Sequence, residues 1–147
     1  MYFYYERIEL KMIASKLTMK LLKEIYSVCR LDKNDIIPSW IMNGEFFSIT
    51  KTEDELSIVC SQENLPHNTQ YELLNIQCEK DWRILKVEGP LDFSLLGILA
   101  SISSLMAQEQ ISIFALSTYD TDYILVKEND IDAAINALLK NNYDVIK

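Results

Sequence analysis

A chain of 147 residues, 49% of them hydrophobic and with only 3 Gly and 3 Pro, has the side chains to bury a core and is neither disordered nor loop-dominated. That length suits one compact domain or two very small ones. A net charge of −8 with no basic stripe argues against nucleic-acid binding, and no run of about 18 apolar residues is present to span a membrane.

The first 18 residues open on Met1-Tyr-Phe-Tyr-Tyr-Glu-Arg-Ile-Glu-Leu-Lys and carry charges through their apolar stretch, unlike a signal peptide. An extra strand, a loose arm and an internal start at Met12 or Met19 are all open readings of this segment. Lys20–Leu31 then reads as a strand, followed by a turn and a short helix around Ile37-Pro-Ser-Trp-Ile41 with Pro38 in its first turn. Residues 46–59 alternate apolar and polar on either side of an acidic turn, the pattern of a half-buried hairpin. Ser61–Leu65 suits a single helical turn, Tyr71–Ile76 a strand, and Cys78–Asp81 a junction.

The second half is clearer. Trp82–Glu88 reads as a strand. Leu95, Ile98, Leu99, Ile102, Leu105 and Met106 form one apolar stripe on a helix over 94–109, with Gly97 inside it. Ile111–Lys127 is strand, turn, strand; Asp130–Lys140 is an amphipathic helix; Tyr143–Ile146 is a last strand. The order is βαββαβ, a ferredoxin-like unit in an α+β protein. Residues 46–59 also align without a gap on 113–126, each 67 positions on, so that Phe47 meets Phe114, Glu53 meets Asp120 and Glu55 meets Asp122. The expected organisation is a 1–18 extension, a shortened first unit over 19–80 and a full second unit over 81–147, two tandem ferredoxin-like units with antiparallel sheets.

Three cysteines, an odd number without a CxxC pair, are expected as buried free thiols in a reducing compartment, and the cytoplasm is the expected location. The single His67 has no nucleophile motif around it, and GxGxxG, P-loop and HExxH patterns are absent, so neither an enzyme nor a cofactor is expected. Two carboxylates at 120 and 122 are too few ligands for a metal claim.

Asp32-Lys-x-x-x-Ile-Pro-x-Trp40, Gly44-Glu-Phe-Phe-Ser-Ile-Thr50, Glu55-Leu-Ser-Ile-Val-Cys60, Gly89-Pro-Leu-Asp-Phe93 and Ser117-Thr-Tyr-Asp-Thr-Asp-Tyr-Ile-Leu-Val126 together resemble the small bacterial tandem ACT-domain proteins. These are similar to the ACT regions of lysine-sensitive aspartokinases and of CASTOR-type cytosolic arginine sensors. The resemblance covers roughly residues 20–147. It implies a regulatory domain that binds a free amino acid between two ACT units; exposed sheet edges in such small domains invite pairing, so a homodimer is expected. Its ligand residues would be Gly89, Pro90, Leu91, Asp92, Phe93, Ser94 and Leu95 in the loop after the first strand. From the facing strand and turn they would be Ile113, Phe114, Ser117, Thr118, Tyr119, Asp120, Thr121 and Asp122.

The residue chemistry fits such a ligand. Asp92 or Ser94 can cap the following helix, whose free N–H groups suit a carboxylate, and Gly89 permits close approach to the backbone. Asp120 and Asp122 can accept from an ammonium or a cationic side chain. Each has a plainer role too: caps at 92 and 94, turn formers at 120 and 121, sheet tyrosines at 119 and 123, core anchors at Trp40 and Trp82. The alternative function is an interaction module, bound to an unidentified protein partner, that kept the fold and lost the ligand.

Overall fold

The computed structural model describes residues 17–66, 75–89 and 97–147. Among these residues are eight strands: β1 (Thr18–Leu21), β2 (Tyr26–Leu31), β3 (Ser48–Lys51), β4 (Leu56–Ser61), β5 (Gln77–Val87), β6 (Ile113–Ser117), β7 (Asp122–Lys127) and β8 (Asp144–Ile146). Two α-helices, α1 (Ile98–Gln108) and α2 (Ile131–Lys140), and three 3-10 turns complete the described elements. The chain divides into two compact units, and they are nested. An outer unit takes the chain up to Lys23 and again from Ile84 to Lys147, and an inserted unit takes Glu24–Arg83.

In the outer unit the sheet order is β6-β7-β5-β1-β8. Strands β5, β6, β7 and β8 with helices α1 and α2 form the expected βαββαβ arrangement. Strand β1 slots between its first and last strands, antiparallel to β5 (Met19↔Val87) and parallel to β8 (Met19↔Val145). The core is the apolar face of that sheet against the stripes of both helices: Met19, Leu85, Val87, Ile124 and Val126 from strands, Ile102 and Met106 from α1, Ala134 and Leu138 from α2. Each fully buried aliphatic side chain here contributes about 1.5–3 kcal/mol. Both helices end on a left-handed residue, Gln110 (φ 58°) and Asn142 (φ 65°). Beyond each, the next amide turns back onto the helix, Ile111 N–H to Met106 O at 2.9 Å and Tyr143 N–H to Leu138 O at 3.1 Å.

The inserted unit has the sheet order β3-β4-β2-β5, with the Gln77–Trp82 half of β5 lying antiparallel to β2. This is again the ferredoxin-like strand order; the described 32–47 connection between β2 and β3 carries a 3-10 turn at Ser39–Met42 where a helix would stand, the shortening expected there, and a 3-10 turn at Gln62–Asn64 follows β4. One face of its sheet carries Cys29, Leu31, Leu56, Ile58 and Cys60, packed with Ile41 and Ile76. A register shift falls between Tyr26↔Trp82 and Val28↔Glu79, and Asp81 adopts φ 65° there. The Gln62 side chain clamps this bulge: its Oε1 accepts from the Asp81 amide (2.8 Å) and from Ser27 Oγ (3.1 Å), and its Nε2 donates to Asp81 Oδ1 (3.0 Å).

Several expectations change. The single strand over 20–31 is two strands separated at Leu22–Ile25, and they belong to different units. The junction expected at Cys78–Asp81 is strand, part of β5. Helix α1 starts at Ile98 with Gly97 as its N-cap in left-handed backbone (φ 76°), so this glycine is not inside the helix. The strand expected at Tyr71–Ile76 lies mostly outside the described residues, as do His67 and nearly all of the 1–18 segment.

Cysteine chemistry also differs from expectation. Cys29 and Cys78 form a disulfide, leaving Cys60 as a buried free thiol among the described residues. Strand pairing puts these two residues directly opposite one another although 49 positions separate them, a juxtaposition that cysteine spacing does not reveal.

The two hairpins match in bonding as well as in pattern. Thr52 N–H donates to Glu55 O at 2.9 Å, and Thr118 N–H to Thr121 O at 2.8 Å; in both turns the threonine hydroxyl also bonds that closing residue. Each second strand then runs into a 3-10 turn, at Gln62–Asn64 and at Glu128–Asp130. Strand register superposes Thr52 on Thr118 and Lys51↔Leu56 on Ser117↔Asp122, an offset of 66 rather than 67. The counterpart of Asp120 is therefore Asp54, and that of Asp122 is the apolar Leu56. A slip of one residue exchanges the faces of every side chain in a strand.

Candidate functional site

The acidic turn of the outer unit is built by pairing at the ends of β6 and β7. Ser117 and Asp122 are the last register pair, and Ser117 Oγ donates to Asp122 Oδ1 at 2.5 Å. Thr118 and Thr121 close the turn between them, and Tyr119 and Asp120 form its exposed tip, Tyr119 at 82% exposure. Thr121 is the buried member, only 4% exposed. Its hydroxyl donates to Val87 O at 2.5 Å, at the end of β5.

That bond joins the acidic turn to the end of β5. Val87 is followed by Glu88 and Gly89, which lead into 90–95. The described start of the loop thus emerges beside the acidic turn. Of the expected ligand residues, Gly89 is exposed at this point, and Ile113 and Phe114 are half-buried on β6. Pro90, Leu91, Asp92, Phe93, Ser94 and Leu95 lie outside the described residues, and with them the expected helix cap at 92 or 94.

Two further residues belong to this neighbourhood. The Tyr123 hydroxyl has its pKa raised by burial first, then by the carboxylates of Asp120 and Glu88. Glu88, at the end of the strand expected over 82–88, therefore joins Asp120 in acting on the Tyr123 hydroxyl. Among the described residues, no lysine or arginine forms an ion pair with Glu88, Asp120 or Asp122. The corresponding turn of the inserted unit differs in this respect. There Arg30 Nη2 donates to Asp54 O at 3.0 Å, and its Nε lies 3.8 Å from Glu55 Oε2. Chemically, the outer turn offers acceptors for a cation together with exposed backbone at Gly89. No group of three or more metal-ligating side chains with the geometry of an ion site occurs among the described residues.

Comparison with known proteins places this geometry in a family. A sequence model described as an ACT domain matches residues 77–140, and another, described as an N-terminal domain, matches residues 24–68. The human protein named cytosolic arginine sensor for mTORC1 subunit 1 is 28% identical over 108 residues, covering 70% of this chain and 32% of that protein. This chain thus spans about a third of the length of the curated relatives that it first matches. A crystal structure of an Agrobacterium tumefaciens protein is 32% identical, with a TM-score of 0.79, over 90% of this chain and 93% of that one. The regulatory subunit of aspartate kinase from Thermus thermophilus, at 9% identity and a TM-score of 0.58 over 83% and 95% of the two chains, shares the fold.

Proposed function

Because this chain belongs to the ACT-domain family, we propose that it is a regulatory module that senses a free amino acid without catalysing a reaction. The ligand sits between the 89–95 loop and the 113–122 strand and turn, at an interface between ACT units. The observation that carries the reading is the Thr121–Val87 bond, which puts the acidic turn beside the start of that loop. In this arrangement Ser117, Asp120 and Asp122, with Glu88, supply acceptors for an ammonium or cationic side chain, and Gly89 leaves the backbone open to the ligand. Thr121 acts from behind as a positioning residue.

A basic amino acid fits best. The carboxylates of the outer turn have no cationic partner among the described residues, whereas Arg30 already occupies the equivalent turn. The human relative is by its name an arginine sensor. Binding at an interface would link occupancy to homodimer assembly, the route by which a module without a catalytic domain signals to a protein partner. We place this activity in the cytoplasm, in keeping with the name of that relative, a cytosolic sensor.

The test is thermal unfolding of ligand-stripped protein against each free amino acid at millimolar concentration. A ligand at about 100 times its dissociation constant adds roughly 2.7 kcal/mol, several degrees for a chain of this size. Selective stabilisation by arginine or lysine that is lost in Ser117→Ala plus Asp122→Ala is the expected result. Stabilisation that survives the double substitution rejects the site. No response to any amino acid rejects the sensor and leaves the interaction module.

A further inference from the structure

We propose that Cys29 and Cys78 form a reversible thiol–disulfide clip that holds or releases the first residues of β5 in the inserted unit. The clip joins strands that are unequally secured. β2 is held on its other side by six register pairs with β4, from Tyr26↔Ser61 to Leu31↔Leu56. Beyond the bulge, β5 contributes only Val28↔Glu79, Cys29↔Cys78 and Arg30↔Gln77. Gln77, Glu79 and Lys80 are exposed, Ile76 is buried and Cys78 half-buried. A short, largely polar strand end opens locally at low cost once a covalent tie is removed.

The two sulfurs also differ in access. Cys29 is buried, whereas Cys78 is half-buried and is the sulfur that an incoming thiolate reaches. One thiolate of a dithiol reductant attacks Cys78 Sγ, breaks the Cys29–Cys78 bond and expels the Cys29 thiolate, which takes up a proton. The second thiol of the reductant then displaces Cys78 as its thiol. The reductant leaves as a disulfide, having supplied two electrons and two protons; a disulfide oxidant such as oxidised glutathione reverses the exchange.

The third cysteine does not interfere. Cys60 shares the sheet face of Cys29 and sits diagonal to it, opposite Ser27 where Cys29 is opposite Ile58. Burial pushes its thiol up to about 11, so near neutral pH it carries almost no thiolate and does not scramble the pair.

The experiment uses the intact chain under native conditions. Dithiothreitol is added, thiols are trapped with a maleimide and counted by mass, and amide hydrogen exchange is followed in parallel. Two labels in the folded protein, a third only in denaturant, and exchange at Gln77–Glu79 that rises at least tenfold and is faster than in β4 are expected. Reoxidation with oxidised glutathione should restore the slow exchange. Cys29→Ser with Cys78→Ser should exchange fast and ignore the reductant. Three outcomes overturn the proposal: a bond that yields only on global unfolding, a pair that stays as free thiols under oxidant, or reduction that leaves exchange at 77–79 unchanged.

Discussion

Thr121→Val tests whether the acidic turn is anchored from behind. The substitution keeps the shape and β-branching of the side chain and removes one hydroxyl from a site 4% exposed. Val87 O then loses a donor that water cannot easily replace, which costs about 1–3 kcal/mol. The added methyl recovers up to roughly 0.8 kcal/mol through burial. A net loss of about 1–2 kcal/mol is expected, seen in urea unfolding as a midpoint lower by roughly 0.5–1 M at unchanged slope. Thr118→Val is the matched control. Thr118 belongs to the same turn but is exposed, so water takes over its hydrogen bonds and the expected loss is under about 0.5 kcal/mol. Equal losses in the two variants, or a loss at Thr121 below about 0.5 kcal/mol, would refute the anchoring role.

Ile124 is fully buried in the outer core, so Ile124→Ala should cost about 2–5 kcal/mol by calorimetry or urea unfolding; a loss under 1 kcal/mol would mean that β7 is not packed as described. Burial, Glu24 and Glu45 hold the Tyr26 phenol up to about 12, so the folded state keeps a proton that the unfolded state releases from about pH 10. Its stabilising contribution is whole below pH 10 and falls away as pH rises from 10 to 12, and Tyr26→Phe should flatten that part of the stability profile. Removing the disulfide frees a loop closed by residues 49 positions apart and should destabilise the inserted unit by about 4 kcal/mol on the chain-entropy account; urea unfolding with and without reductant measures it, and a difference below 1 kcal/mol contradicts that account. The Arg30–Glu55 pair is exposed on both sides, so Arg30→Ala should change stability by no more than about 1 kcal/mol.

How far the fold was legible varies with how local its signals are. The outer unit announced itself through helix stripes and strand alternation, because its elements are each half-buried against one core. The first half of β5 hid because Gln77, Glu79, Lys80 and Asp81 are exposed and supply no apolar alternation. The break between β1 and β2 carries no Gly or Pro, and only the pairing of Met19 with Val87 shows that the chain has changed units there. Nesting and disulfide alike are consequences of register, which no local pattern encodes. At the site, the turn residues were legible from their hydroxyls and carboxylates. The contribution of Glu88 and the burial of Thr121 were not, since both depend on where β5 ends beside the turn. The misaligned repeat has the same origin: matching acids favours an offset of 67, while the threonine that closes each turn requires 66.

The corrected offset sharpens the functional argument. Both hairpins use the same threonine-closed turn, so the scaffold itself does not distinguish them. They differ in charge. In the inserted unit the guanidinium of Arg30 bridges the turn backbone at Asp54 and the carboxylate of Glu55, which completes that turn internally. In the outer unit Asp122 replaces an apolar residue, Asp120 and Glu88 both bear on Tyr123, and no basic side chain of the described residues pairs with them. A cationic side chain from outside gains Coulomb attraction to these carboxylates together with charge-assisted hydrogen bonds. Such a ligand is favoured by two terms that an uncharged amino acid of the same size cannot use. Both weaken as salt screens the partly exposed turn, so selectivity for a basic ligand should narrow with rising ionic strength.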